Sequence, residues 1–269
     1  MRVAASFYPL AHFAGQVGDE RVEVMNITPL SVDPHEYEPT ARDMIKMQTA
    51  RIFIFNGSGL DPWAERVQGE LKSRGVHILN MADHFDLLRE ERGLKYDPHI
   101  WLDPLLAIKE VELVRDTLIR ANPEDEDYYR RNSAAYIKEI LMLHERYADG
   151  LASCENRNII VSHDAFGYLA VRYGFDLYPV SGLSPEEEPS PRKMAEITDL
   201  AREKNIHYIF TEVLLNPKIA ETIANEIGAK ILVLNPVSGL TDNDTRTGKD
   251  YISMMDENLA HLRMAMSCK

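Results

Sequence analysis

Two stretches of the chain place apolar and turn-forming residues in the same order. The strings "IFNGSGLDP" and "IFTEVLLNP" each have Ile-Phe, five further residues, and then an acid or amide before a proline. An acid or amide favours a helix N-cap, and proline favours the first helical position, where no N–H partner is needed. We therefore predict helices that begin at Pro62 and Pro217, with Asp61 and Asn216 as their N-caps.

Each predicted helix start is followed by an apolar stripe at four-residue spacing, which is typical of an amphipathic helix. The stripe positions are Trp63, Val67 and Leu71 in the first copy and Ile219, Ile223 and Ile227 in the second. Gly75 and Gly228 then close the helices, and the strand-like runs "VHIL" and "KILVL" follow. A strand, a helix and a second strand form the unit of a parallel sheet, so the repeat predicts two related α/β lobes.

A different pattern separates the two copies. Residues 124–153 contain no proline, and their first glycine is Gly150. Pro123 precedes a first turn rich in acids, which the helix dipole favours. We predict one long, rigid connecting helix over residues 123–153, between an N-terminal lobe of residues 1–122 and a C-terminal lobe of residues 154–269.

The composition limits the classes of function. A chain of 269 residues suits two domains of about 120 residues each. The net charge of −13 repels phosphate backbones, so we expect no nucleic-acid partner. No apolar run approaches the roughly 18 residues of a membrane helix. The opening "MRVAASFYPL" lacks the pattern of a signal peptide, so we expect either a cytosolic protein or a chain that begins after processing.

The chain has two cysteines, Cys154 and Cys268. Two are too few for a disulfide scaffold. One bridge and two separate thiols both remain open from the sequence.

Three histidines stand in loop-like positions. His35 follows "VEVMNITPL", His163 follows "NIIVS", and His99 precedes a predicted helix. In open α/β sheets, ligands bind beyond the carboxyl ends of the strands. Proline precedes His35 and His99 and restricts their loops. Each histidine alone is typical of a surface residue, but as a set the three are stronger candidates for ligands than any one of them. We interpret the others as solvated or packing residues: His12, His77, His84, His144, His207 and His261.

The chain resembles the zinc-type subgroup of the metal-specific solute-binding proteins of ABC importers. The likeness is carried, in family order, by "FYPL", "DPHEYEPT", "NGSGLDPW", "DPHIWLDP", "VSHDAFGYLAVRYG", "GLSPEEEPSP" and "DYISMMDENL". It implies two (β/α) lobes with parallel sheets, joined by a long rigid backbone helix, with the metal in the interlobe cleft. It also implies that the N-terminal lobe supplies His35 and His99 as ligands and that the C-terminal lobe supplies His163.

The resemblance also implies a function. Such a protein captures a divalent transition metal outside the cytoplasmic membrane and delivers it to the transmembrane subunit of an ABC permease. The ion is carried and no catalysis is required. The implied location is periplasmic or extracellular, with or without a lipid anchor to the cell membrane, and the implied state is a monomer.

The imidazole count bears on the identity of the metal. Three imidazoles favour zinc over hard manganese, magnesium or calcium. Manganese-carrying relatives typically have a carboxylate in place of His163, and a manganese-carrying protein of this family is the alternative. A zinc-dependent hydrolase is the alternative from another class, because three histidines and an open position describe catalytic zinc. The sequence has neither an H-E-x-x-H motif nor a G-x-S-x-G motif.

One departure from the family concerns the fourth ligand. The family has a carboxylate in the loop after a late strand of the C-terminal lobe, whereas this loop reads "VLNPVSGLTDND". Asn235 and Ser238 stand where an acid is expected. We expect the fourth position to be held by water, Asp242 or Asp244.

Further acids lie near the candidate ligands. Glu212 and Glu36 are candidates for orienting an imidazole N–H, and helix capping or surface charge is the alternative. The acidic stretch "SPEEEP", residues 184–189, is either a solvated loop or a rim that attracts cations.

Overall fold

The computed structural model describes residues 1–89, 96–183, 189–214 and 217–269. The chain divides into one unit of Met1–Met142 with Val237–Tyr251 and a second unit of Leu143–Pro236 with Ile252–Lys269. The division into residues 1–122, 123–153 and 154–269 stays a prediction. Residues 184–188 of the acidic stretch and the N-cap assigned to Asn216 lie outside the described residues.

The described residues form eight strands and ten α-helices. In chain order the strands are β1 (Arg2–Ala5), β2 (Glu23–Asn26), β3 (Ile52–Phe55), β4 (His77–Asn80), β5 (Asn158–Val161), β6 (Asp176–Pro179), β7 (Tyr208–Thr211) and β8 (Lys230–Val233). The helices are α1 (Tyr8–Gly18), α2 (Ala41–Thr49), α3 (Pro62–Ser73), α4 (Pro104–Ala121), α5 (Glu126–Gly150), α6 (Gly167–Tyr173), α7 (Pro191–Glu203), α8 (Lys218–Ile227), α9 (Asp242–Thr247) and α10 (Tyr251–Ala265). Among the described residues, no helix has the length and apolar character needed to cross a membrane.

Each unit contains one four-stranded parallel sheet. The strand order is β2-β1-β3-β4 in the first unit and β6-β5-β7-β8 in the second. In both units the first strand therefore lies between the second and the third. This shared order confirms the predicted fold class of two parallel-sheet α/β lobes.

The core of the first unit explains why β3 reads as a continuous apolar run. All four of its residues are buried, as expected for a parallel strand that is covered on both faces. Phe53 stacks on Phe55 with ring centroids 5.5 Å apart, and the Trp63 ring of α3 lies 5.9 Å from Phe53. The apolar stripe predicted for α3 thus packs on the sheet.

The predicted helix starts were accurate to within one residue. Helix α3 begins at Pro62 with Asp61 at the N-cap position, but the Asp61 side chain does not cap the helix. The Asp61 carboxylate instead accepts hydrogen bonds from backbone N–H groups of the loop between β3 and α3. Helix α8 begins at Lys218, one residue later than predicted, and Gly228 closes it in the left-handed conformation.

The long helix predicted between the two copies is present as α5. A 3₁₀ turn at Pro123–Asp125 leads into it, and it ends at Gly150. Beyond that end, the Arg157 guanidinium donates to the carbonyls of Leu151 and Ala152. It also donates to the carbonyls of Tyr173 and Gly174 at the end of α6, so one side chain links the end of α6 to the segment that follows α5.

A disulfide between Cys154 and Cys268 lies within the second unit and settles the choice that the sequence left open. It ties the chain just after α5 to the residues that follow α10, over a sequence separation of 114. Lys269 N–H donates to Ser153 O at 2.9 Å beside it. The bond closes a long loop and therefore limits the freedom of the unfolded chain.

We predict that replacing both cysteines with serine lowers the free energy of unfolding by about 2–5 kcal/mol, because a long loop is released in the unfolded state. Urea unfolding of oxidised wild type and of the double variant measures the difference. A reducing agent should bring the wild type to the stability of the variant and leave the variant unchanged. Equal midpoints without reductant would contradict the prediction.

Glu110 of α4 is a fully buried acid inside the first unit. Neither of its carboxyl oxygens has a hydrogen-bond partner among the described residues. Burial raises the pKa of the Glu110 carboxyl well above its ordinary value, because the charged form loses its hydration. Above the ordinary carboxyl pKa, the folded state therefore holds this proton more tightly than the unfolded state does.

We predict that this acid makes stability fall as the pH rises. The stabilisation is complete below the ordinary carboxyl pKa and is lost as the pH climbs towards the raised pKa of the folded state. Glu110→Gln removes the titration, so its stability relative to wild type should increase between about pH 5 and about pH 8. Urea unfolding at both values tests this, with Glu112→Gln as the control because that side chain is 47% exposed on the same helix. A difference that does not change with pH would contradict the prediction.

Candidate metal centre

His35 lies in a turn that follows β2 in the first unit. The backbone N–H of His35 donates to Asp33 Oδ1 at 2.9 Å, which closes a side-chain turn across Pro34. The imidazole is half-buried. The "DPH" tripeptide thus fixes the histidine through its aspartate as well as through its proline.

His99 stands in a second turn of the same kind. Its backbone N–H donates to Asp97 Oδ1 at 2.9 Å, and its Nδ1 lies 2.8 Å from the same oxygen. Both side chains are buried. A carboxylate at this distance holds the proton on Nδ1, so the lone pair that can bind a metal is on Nε2.

The two turns bring His35 and His99 together. Their Nε2 atoms are 3.3 Å apart, and their ring centroids are 5.4 Å apart. Two nitrogens bound at about 2.0–2.1 Å to one tetrahedral zinc ion lie about 3.3 Å from each other. The pair therefore already has the spacing of two ligands of one ion.

His163 occupies the corresponding edge of the sheet in the second unit, two residues after β5. His163 is buried. Its Nδ1 lies 2.5 Å from Oε1 of Glu212, which is the residue directly after β7. The Ser162 hydroxyl donates to the same carboxylate oxygen. As for His99, a buried carboxylate faces Nδ1, so Nε2 is the ring nitrogen available to a metal.

The predicted orienting acids differ in their placement. Glu212 contacts the His163 ring, and its role in orienting a metal ligand stays a prediction. Glu36 is exposed on the turn that carries His35, and its backbone N–H donates to Asp33 O. Asp97 was missed, although the "DPH" repeat held the signal, because an aspartate two residues before a loop histidine can reach its N–H and its ring.

The candidate fourth ligands lie in different surroundings. Asp244 closes a capping box at the start of α9 with Thr241 and pairs with Lys249 at 3.3 Å, so its carboxylate is already engaged. Asp242 is exposed in the first turn of α9, and Ser238 is buried.

Asn235 belongs to the second unit, and α10 holds its backbone. Asn258 accepts from Asn235 N–H and donates to Asn235 O, both at 2.7 Å. One turn further along α10, His261 Nδ1 lies 2.7 Å from Val233 O. The end of β8 and the residues directly after it are therefore held by two side chains of one helix.

Comparisons with known proteins agree over nearly the whole chain. A family model described as "Zinc-uptake complex component A periplasmic" (ZnuA) matches residues 3–265. The zinc-binding lipoprotein AdcA of Streptococcus pneumoniae is 34% identical over 98% of this chain, which spans 55% of the length of AdcA. The high-affinity zinc uptake system protein ZnuA of Bacillus subtilis is 33% identical, and the alignment covers the full chain and 88% of that protein.

Solved structures show the same likeness. The Zn(II)-bound ZnuA-like domain of Streptococcus pneumoniae AdcA has a TM-score of 0.88 at 35% identity, covering 99% of this chain and 98% of that one. The laminin-binding adhesin Lmb of Streptococcus agalactiae, in a mutant structure, has a TM-score of 0.92 at 32% identity, covering 99% of each chain. The chain therefore belongs to the family of the zinc-uptake complex component A, ZnuA.

Proposed function

We propose that this protein captures a single zinc ion outside the cytoplasmic membrane and delivers it to the transmembrane subunit of an ABC permease. The observation that carries the proposal is the His35–His99 pair, whose Nε2 atoms have the separation of two ligands on one tetrahedral ion. The names of the relatives, which include a zinc-binding lipoprotein and a zinc uptake system protein, support the same cargo.

The proposed ligands are His35 and His99 of the first unit and His163 of the second. His99 and His163 each have Nδ1 against a buried carboxylate, which is the usual arrangement behind a metal-bound imidazole. Three imidazoles suit a borderline ion such as zinc better than hard manganese. Nickel and copper also bind such nitrogen sets in solution.

The missing carboxylate has a physical explanation under this proposal. Neutral imidazoles bring no charge to a dication, but Asp97 and Glu212 each place a negative charge behind a ligand ring. These acids take over the charge balance that a directly bound carboxylate provides elsewhere. Water then suffices in the fourth position, and Asp244 remains a helix cap.

We treat the ion as cargo because the family is one of solute-binding proteins. The hydrolase alternative needs a general base beside the open position, and the sequence contains no H-E-x-x-H motif to supply one. The disulfide in the second unit suits the oxidising compartment in which a periplasmic or lipid-anchored carrier works.

The first prediction from this proposal concerns stoichiometry. Chelator-stripped protein should bind one zinc ion per chain in calorimetric titration and should prefer zinc to manganese in competition. Because the unfolded chain has no preformed site, free zinc at a thousand times the dissociation constant should stabilise the fold by about 4 kcal/mol. Binding of no zinc, or an unchanged melting temperature with zinc, would overturn the proposal.

The same titration, carried out on histidine variants, tests which histidines bind the zinc ion. His99→Ala and His163→Ala should each weaken zinc binding at least about 100-fold, which is about 2.7 kcal/mol. The controls are His84→Ala and His207→Ala, because these are exposed histidines of the first and second unit. Controls that lose as much affinity as the ligand variants would contradict the assigned set.

A separate prediction concerns the fourth position. If water holds it, Asp242→Ala should leave zinc affinity within about threefold of wild type, since no ligand is lost. Asp244→Ala should lower stability by about 1 kcal/mol through loss of the cap and change zinc affinity no more than Asp242→Ala does. An aspartate variant that costs as much affinity as His99→Ala would identify that aspartate as the fourth ligand and refute the water-completed site.

A further inference from the structure

The turn that carries His99 is held by a neighbouring loop as well as by Asp97. Ile100 N–H donates to Pro98 O at 2.9 Å, and His99 has φ −83° and ψ 46°. These values describe an inverse γ-turn with His99 at its apex. The direction of the imidazole therefore depends on how the Pro98–His99 peptide group is oriented.

That peptide group is fixed at both of its polar atoms. Its N–H donates to Asp97 Oδ1 at 2.9 Å, and its oxygen, Pro98 O, accepts from Asn56 Nδ2 at 2.9 Å. Asn56 directly follows β3 and is fully buried. A buried amide that bonds a carbonyl across a sequence separation of 42 residues restrains the rotation of that peptide plane.

The loop that contains Asn56 has an unusual and well-braced backbone. Gly57, Ser58 and Gly59 all have positive φ, at 76°, 53° and 82°. The Asp61 carboxylate accepts from Asn56 N–H at 2.9 Å and from Gly57 N–H at 2.8 Å. A Cβ on Gly57 would lie 2.3 Å from Asn80 Oδ1, so only glycine fits there.

We infer that Asn56 is a positioning residue for the zinc ligand His99, acting through the Pro98–His99 peptide group. The Asp61 carboxylate binds the backbone N–H of Asn56, and the Asn56 side-chain amide binds Pro98 O in the turn that carries His99. This role explains why the Asp61 carboxylate binds N–H groups of the loop and does not cap the start of α3. The inference rests on the proposed zinc-binding function.

The test replaces Asn56 with aspartate, which keeps the shape but puts a carboxylate oxygen against Pro98 O. The matched control is Asn26→Asp, because Asn26 ends β2 of the same sheet and its amide donates to Thr28 O at 2.7 Å, a carbonyl that belongs to no ligand turn. Both full-length variants are titrated with zinc against a chromophoric chelator. Their metal-free stability is measured by urea unfolding.

We expect Asn56→Asp to weaken zinc binding by about 10–100-fold, as loss of a group behind a metal ligand does. The absorption bands of bound Co²⁺ should change in energy or intensity, because they report the ligand geometry and not the stability of the fold. Asn26→Asp should keep the zinc affinity and the cobalt spectrum of wild type. If Asn56→Asp does not fold, the smaller, uncharged Asn56→Ser is judged by the same criteria.

Two results would overturn the inference alone. One is wild-type zinc affinity and an unchanged cobalt spectrum in a folded Asn56 variant, and the other is an equal loss of affinity in Asn26→Asp. In both cases wild type still binds one zinc ion, so the proposed function stands. Failure of wild type to bind zinc at all would overturn the proposed function and this inference with it.

Discussion

The contact between a buried carboxylate and the Nδ1 atom of an imidazole is the interaction on which the candidate site depends. Among the described residues it is seen in both units, between Asp97 and His99 at 2.8 Å and between Glu212 and His163 at 2.5 Å. A buried acid is costly unless it has a partner, and an imidazole N–H is the partner available here. The pairing decides which ring nitrogen carries the proton, and it leaves Nε2 to bind a metal.

The two parallel sheets explain how such contacts arise. The carboxyl ends of parallel strands lie at one edge, so the residues that follow β5 and β7 meet there without long loops. His163 and Glu212 follow these two strands. In the first unit, the turns after β2 and before α4 carry the histidines. The residue after β3, Asn56, reaches the second of these turns.

Much of the fold could be predicted from the sequence because its signals are local. The strand, helix and strand order of each lobe follows from apolar spacing and from prolines and glycines at helix ends, and the start of α3 at Pro62 is correct. The three loop histidines were found in the same way, since the strand runs place them at sheet edges. The resemblance to a known family then grouped them into one set.

Other features depend on contacts between distant residues, and no local pattern reveals them. Asp61 reads as a helix cap, yet its carboxylate accepts hydrogen bonds from the N–H groups of Asn56 and Gly57 in the loop before α3. The spacing of α4 does not show that Glu110 is sealed from water. The sequence shows only that Asn235 stands where an acid is expected, whereas in the structure Asn258, 23 residues further along the chain, binds both the N–H and the carbonyl of Asn235.

The central claim is that zinc binds to Nε2 of His35, His99 and His163 while carboxylates keep the proton on Nδ1 of the last two. Nitrogen-15 NMR of the histidine rings, recorded with and without one equivalent of zinc, tests it directly, because the two ring nitrogens give separate signals. The account predicts zinc-dependent shifts at Nε2 of these three residues and a protonated Nδ1 in His99 and His163. Zinc bound through Nδ1, or ring signals of His99 and His163 that do not respond to zinc, would contradict it.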